Sequence, residues 1–260
     1  MRPTERDTSP TMISRVSDVL KIFQGKERSF SVSEIGRRTG IPKASVSRII
    51  NELIEYGLLE RDGDRIQLGL RLFELGQHAN RSTDLRKFTM PSMSELMKAT
   101  GQTVHLAVLE GTDVVYIQIL RSRSTPPLPS RVGGRLPAYA TGVGKALLAF
   151  ADDETLEQLF SQKLEPIGPN TITDPEKLRH ELIAIRANRL AFERQESSAD
   201  LGCAAAPILD SQGQAIAAIS VSVRLDQTDL SKMGPAVSAV AMALSRESSR
   251  LSRLSISHAL

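Results

Sequence analysis

Ser31-Val32-Ser33-Glu34-Ile35-Gly36-Arg37-Arg38-Thr39-Gly40-Ile41-Pro42-Lys43-Ala44-Ser45-Val46-Ser47-Arg48-Ile49-Ile50 is the stretch on which the reading of this chain turns. Ser31 stands three residues ahead of Glu34, the spacing at which a hydroxyl caps a helix start and the carboxylate reaches back to the cap's own N–H. The helix so opened is short, because Gly40 follows Thr39 and glycine takes the left-handed conformation that ends a helix. Pro42 then sits where the first turn of a new helix has no use for an N–H. That next helix is expected to run to about Tyr56. On it Val46, Ile49, Ile50 and Leu53 share one face, which leaves Ala44, Ser45, Ser47, Arg48 and Asn51 on or beside the other.

Working outward, Ile13, Val16, Val19, Leu20 and Phe23 recur at helical spacing until Gly25 ends the pattern. On the other side, Leu58-Leu59-Glu60-Arg61 and Arg65-Ile66-Gln67-Leu68 flank Asp62-Gly63-Asp64, a strong hairpin signal. Three helices with a tight glycine turn before the last, followed by a hairpin, form a winged helix-turn-helix, whose second paired helix enters a DNA major groove. The same parts could serve a protein-binding module. Charge favours DNA: from Ile35 to Ile50 there are four basic residues, Arg37, Arg38, Lys43 and Arg48, and no acid, a local excess suited to phosphates. The net charge of +3, from 33 basic and 30 acidic residues, does not reveal that excess.

A chain of 260 residues with 40% apolar content has room for a small core and a medium one. After the wing, Leu68, Leu72, Leu75 and Ala79 repeat at helical spacing, so an amphipathic helix leaves the small domain. A lone helix of that length is marginal in water, and its stripe needs a partner: a twin in a dimer, or the chain's own second domain. The predicted domains are residues 1–68, a linker helix over 69–84, and a second domain over 85–260. A single cysteine, Cys203, excludes an intramolecular disulfide framework and suits a reducing compartment. No run approaches a membrane span and Met1–Pro10 is polar and of mixed charge, so a cytoplasmic protein is expected.

The second half reads as α+β. A helix over Leu85–Ala99 stops at Gly101, and strands Thr103–Leu109 and Val114–Leu120 flank the turn Glu110-Gly111-Thr112-Asp113. A loop over Arg121–Arg135 leads to a glycine-led helix, Gly142-Val143-Gly144-Lys145, whose start offers N–H groups to an anion but lacks P-loop spacing. Helices over Asp152–Gln162 and Asp174–Asn188 each open on an Asp. Asp210-Ser211-Gln212-Gly213 joins a strand Cys203–Ile208 to a strand Ala215–Val223. In the latter, Ile219, Val221 and Val223 point one way and Ala218, Ser220 and Ser222 the other. The hydroxyls mark either a polar-lined cavity or a solvent-facing ladder. A last helix from Pro235 carries Val237, Val240, Ala241, Leu244 and Leu251. Cys203 as a nucleophile with His78, His105, His180 or His258 as base fits no local catalytic signature, and no metal-spaced cluster exists. No enzyme, metal or cofactor is expected.

Ser33-Glu34-Ile35-Gly36, Thr39 through Ile50 and Tyr56-Gly57-Leu58-Leu59-Glu60-Arg61 resemble the DNA-binding segment of the IclR family. Leu136-Pro137, Gly144-Lys145-Ala146, Gly202-Cys203-Ala204-Ala205-Ala206-Pro207 and Ala217 through Ser222 resemble its effector domain, which is GAF-like. The resemblance implies that Lys43, Ser45, Ser47 and Arg48 meet operator DNA, with Arg48 and the serines reading bases and the wing from Arg61 to Arg65 against the backbone. It implies a homodimer, or a dimer of dimers, that represses a catabolic operon and responds to a small carboxylate or aromatic catabolite. By matching positions the effector would touch Leu128, Gly142, Val143, Glu193, Leu201, Cys203, Ser220 and Ser222. Glu193 stands in Phe192-Glu193-Arg194-Gln195-Glu196, where relatives carry an Asp. There a carboxylate repels an anionic ligand unless it is protonated, paired with Arg194 or bonded to a ligand hydroxyl.

Overall fold

The computed structural model describes residues 11–25, 27–78, 80–123 and 128–257, without the side chains of 80–82 and 249–257. Met1–Pro10, Ala79, part of the Arg121–Arg135 loop, the Leu251 side chain and His258 therefore lie outside the described residues. The chain divides into two compact units between Thr83 and Asp84.

In the first unit, α1 (Met12–Lys21) continues into a 3-10 turn (Ile22–Gln24), followed by β1 (Ser29–Phe30), α2 (Val32–Thr39), α3 (Lys43–Glu55), β2 (Leu59–Asp62), β3 (Arg65–Leu68) and α4 (Leu70–Gln77). The capping box forms as expected: Glu34 N donates to Ser31 Oγ at 3.2 Å and Ser31 N to Glu34 Oε2 at 2.7 Å. Gly40 is left-handed at φ 69°. Val46, Ile49, Ile50 and Leu53 of α3 are buried against Ile35 and Val19, at roughly 1.5–3 kcal/mol for each fully buried aliphatic side chain. Phe23 meets Phe30 edge-on at 5.3 Å between ring centres.

Two features of this unit escaped the sequence reading. β1 is only two residues long, too short for alternation to register, yet it pairs with β3 and makes the wing a three-stranded sheet in the order β1-β3-β2. The linker is not one helix over 69–84. α4 stops at Gln77 and a new helix starts at Asn80. Leu68, Leu70, Phe73 and Leu75 around α4 are 44–65% exposed. At Gly69 a side chain would collide with the Gly57 carbonyl, so the exit from the wing is pressed against the exit from α3.

The second unit is a six-stranded antiparallel sheet in the order β6-β5-β4-β9-β8-β7, formed by β4 (Thr103–Glu110), β5 (Asp113–Leu120), β6 (Arg135–Pro137), β7 (Ala191–Arg194), β8 (Leu201–Leu209) and β9 (Ala215–Arg224). Alternation along the strands separates two cores. Ala107, Ala205 and Ala218 face α6 (Gly142–Leu148), α7 (Asp153–Phe160) and α8 (Pro175–Asn188), whereas Leu106, Ala204, Ile219 and Val221 face α5 (Asn80–Thr100) and α9 (Gly234–Ser257). The hairpins and helices anticipated from sequence are present with shifted ends, and Asp152 and Asp174 cap α7 and α8. β6 and β7 were not anticipated, being short strands at the two sheet edges. The small residues of β8 have a packing reason: a Cβ at Gly142 would lie 2.9 Å from Cys203 Sγ, so α6 lies directly on the sheet. Among the described residues no helix is long and apolar enough to cross a membrane, and no group of His, Cys, Asp and Glu is placed to hold a metal.

Candidate nucleic-acid interface and sensor cavity

The basic residues of the first unit divide into two sets. Arg37, Lys43 and Arg48 are exposed and make no ion pair or hydrogen bond among the described residues. Arg38 is instead tied to Glu27 at 2.8 Å and stacks over the Phe30 ring at 4.6 Å. Arg65 donates to Ser29 Oγ at 2.9 Å and to the Ser29 carbonyl at 2.6 Å, with Glu34 Oε2 at 3.6 Å. Arg61 reaches back to Asn51 Oδ1 at 3.0 Å. The first set has unspent cations at the start and middle of α3 and the end of α2. The second set holds the wing against the helices. Ser45 and Ser47 are half-buried, whereas Arg48 between α3's buried positions is exposed.

In the second unit, Leu128, Gly142, Val143, Glu193, Leu201, Cys203, Ser220 and Ser222 all line one cavity on the α6 side of the sheet. Ser220 and Ser222 are buried, which rules out a solvent-facing ladder. The walls also include His105, Tyr116, Ser130 and Thr141, which the sequence reading did not select. A signal for His105 was available: it lies directly opposite Ser220 in the β4–β9 register, so its parity matches the hydroxyls. The free volume is about 30 Å³, room for about one water.

The polar groups of this cavity are neutral or readily neutralised. His105 contacts Ser130 Oγ through Nε2 at 2.9 Å and Ser222 Oγ through Nδ1 at 3.4 Å. Burial, helped by Arg121, pushes its pKa down to about 3, so the imidazole is uncharged. Burial raises the Tyr116 phenol, with smaller contributions from Cys203 and Glu193, and its hydroxyl has no hydrogen-bond partner among the described residues. Burial also pushes the Cys203 thiol up to about 12. A neutral thiol beside a neutral imidazole is not the activated pair that a cysteine nucleophile requires. Glu193 is buried, and its Oε1 accepts from Glu196 N at 2.5 Å and Ser197 N at 3.1 Å. Desolvation lifts its pKa to about 7 against those N–H groups, with Glu196 adding and Lys145 opposing. Arg194 does not pair with it; that side chain is exposed and lies over the Phe192 ring at 5.3 Å.

The Gly142-Val143-Gly144-Lys145 segment departs from its sequence reading. Thr141 Oγ1 takes the Gly144 N–H at 3.1 Å, and the helix has only seven residues, so its dipole is weak. Lys145 is fully buried and does not line the cavity: Nζ contacts Glu181 Oε1 at 2.5 Å, Glu196 Oε1 at 2.6 Å and the Phe192 carbonyl at 3.0 Å. Glu196 Oε2 is buried without a partner, and burial raises the pKa of this carboxyl.

A winged reading head with unspent cations, in one chain with a sheet domain that holds a small cavity, is the build of a DNA-binding regulator of transcription. Residues 12–63 match the IclR helix-turn-helix domain and residues 77–246 the bacterial transcriptional regulator IclR C-terminal domain. The chain belongs to the IclR family. It is 33% identical over 227 residues to the HTH-type transcriptional regulator KdgR of Escherichia coli (strain K12), covering 85% of this chain and 86% of KdgR. To the Pca regulon regulatory protein of Pseudomonas putida it is 33% identical over 241 residues, 91% of this chain and 82% of that protein. Among solved structures, an IclR homologue from Microbacterium hydrocarbonoxydans complexed with 4-hydroxybenzoate superposes with a TM-score of 0.84 at 31% identity, covering 92% of this chain and 99% of that one. These relatives are regulators and not enzymes.

Proposed function

We propose that this protein represses a catabolic operon and that its affinity for operator DNA changes when a small carboxylate or aromatic catabolite enters the cavity of the second unit. The observation that carries the reading is the convergence of Glu193, Cys203, Ser220 and Ser222 with His105 and Tyr116 around one cavity. The 4-hydroxybenzoate bound to the Microbacterium homologue supports the ligand class. Residues 1–68 act as the reading head, 69–84 as the linker and 85–260 as the sensor. Arg37, Lys43 and Arg48 contact phosphates and bases, with Ser45 and Ser47 beside them, while Arg38, Arg61 and Arg65, tied to Glu27, Asn51 and Ser29, hold the wing in position to meet the backbone of the duplex. The exposed Leu68, Leu70, Phe73 and Leu75 support pairing with a second copy in a homodimer, and dimers join into dimers of dimers. The cytoplasm is the compartment in which such a protein meets its operator.

A benzoate ring does not fit a free volume of about 30 Å³, so the walls must separate for it to enter. A ligand that binds the opened form better shifts the population toward that form, which is the physical content of an effector response. The test is fluorescence anisotropy with labelled DNA from the region upstream of the protein's own gene, with and without 4-hydroxybenzoate. A change in operator affinity is expected. Identical affinities across a panel of aromatic and aliphatic acids would remove the effector reading.

A further inference from the structure

Among the described residues the walls of the cavity include no lysine or arginine, and their single carboxyl belongs to Glu193. We infer that Glu193 sets the charge of the effector: the cavity accepts a monoanion together with one proton, which settles on Glu193 Oε2, and it rejects dianions. The inference deepens the proposed function and rests on its assignment of this cavity to the effector.

Counting charges around Glu193 shows why. From α6, Lys145 is the only cation of the group among the described residues, and both of its salt bridges go elsewhere, to Glu181 of α8 and Glu196 of the following turn. One ammonium thus faces three carboxyls. From β5 comes the Tyr116 phenol, from β8 the Cys203 thiol and from β4 the His105 imidazole, all uncharged, while β9 presents the Ser220 and Ser222 hydroxyls. Arg121 lies just past β5 and donates to the Ser130 carbonyl without lining the space. Arg194, the neighbour on Glu193's own strand, is exposed. A ligand carboxylate would bring a further negative charge against buried groups already in excess.

Glu193 is built to relieve that excess. Its Oε1 is held by two backbone N–H groups, which fixes the side chain, and its Oε2 has no partner among the described residues. A proton on Oε2 converts an acceptor that repels an anion into a donor that can hold one, beside the unpartnered Tyr116 hydroxyl. The burial that pushes the carboxyl to about 7 makes this proton available near neutrality.

The experiment is isothermal titration calorimetry of the full-length protein with 4-hydroxybenzoate, 4-hydroxybenzamide and terephthalate, in buffers of different ionisation heat. For 4-hydroxybenzoate, proton uptake approaching about one per ligand is expected above about pH 7, with affinity falling about tenfold between about pH 6 and about pH 8. The neutral amide should bind without uptake, and the dianion more than about tenfold more weakly than the monoanion. Glu193→Gln keeps the Oε1 acceptor and so the two backbone bonds; it should bind 4-hydroxybenzoate with no uptake and no pH slope. A wild type without uptake, or E193Q retaining the slope, would overturn the inference while leaving the effector site standing.

If none of the three probes binds, the aromatic reading falls and a ligand-free readout decides. A carboxyl whose pKa is raised in the fold, from 4.5 to about 7, adds stability that is complete below the lower value and lost as pH rises through the higher one. The melting temperature of the wild type should therefore drop relative to E193Q from about pH 5.5 to about pH 8. Parallel profiles would refute the protonation of Glu193.

Discussion

Replacing Lys145 by methionine tests whether the buried charge cluster holds the sensor together. The ammonium is fully buried and serves two carboxylates. Of these, Glu181 keeps about a third of its side chain in solvent and can be rehydrated, whereas Glu196 is 8% exposed and cannot. Removing one partner of a buried pair costs about 3–5 kcal/mol, because the remaining charge is left without compensation. For a unit of roughly 150–250 residues each kcal/mol moves Tm by about 2–4 °C, so K145M should lower the sensor transition by roughly 6–20 °C in scanning calorimetry. Adding Glu196→Met should recover most of the loss, since an apolar pair of similar volume replaces the ionic one. The single-mutant deficit should also be largest at high pH: without the cation the folded-state pKa of Glu196, already raised by burial, rises further, and protonation at lower pH relieves the strain. A single mutant within about 1 kcal/mol of wild type, or a double mutant no better than the single, would refute the argument.

Other substitutions probe the two units separately. Ser31→Ala removes the capping box and should destabilise the reading head by about 1 kcal/mol, measured by thermal melting. Gly144→Ala drives a Cβ into the Ala138 carbonyl, so α6 or the turn before it must shift; a loss of about 1–3 kcal/mol or more is expected in the sensor transition. Under the proposed function, Arg48→Ala should weaken specific operator binding by about 1–3 kcal/mol in anisotropy titrations, and Lys43→Ala should reduce the salt slope by about one while weakening all sequences alike. Ser220→Ala with Ser222→Ala should blunt the 4-hydroxybenzoate response; unchanged ligand affinity in that double variant would move the effector out of the cavity.

What was legible in the sequence was local. The capped start at Ser31, the stop at Gly40, the α3 stripe and the wing turn depend on contacts within a few residues, and each formed where the spacing placed it. The alternation of Ser220 and Ser222 likewise followed from strand geometry alone. Long-range pairing was not legible in this way. Which cations remain free for DNA depends on partners such as Glu27 for Arg38 and Ser29 for Arg65, the latter 36 residues away. His105 enters the cavity because β4 lies beside β9, a pairing across more than a hundred residues. Lys145 follows two glycines at a helix start whose N–H groups read as an anion site without P-loop spacing, and only the tertiary fold brings its ammonium to Glu181 and Glu196. Side-chain spacing along one element is set by backbone geometry and can be read from a single chain. Burial and charge pairing are set by neighbours that the fold alone brings together, and it is these that make Glu193 a buried acid at the wall of the cavity.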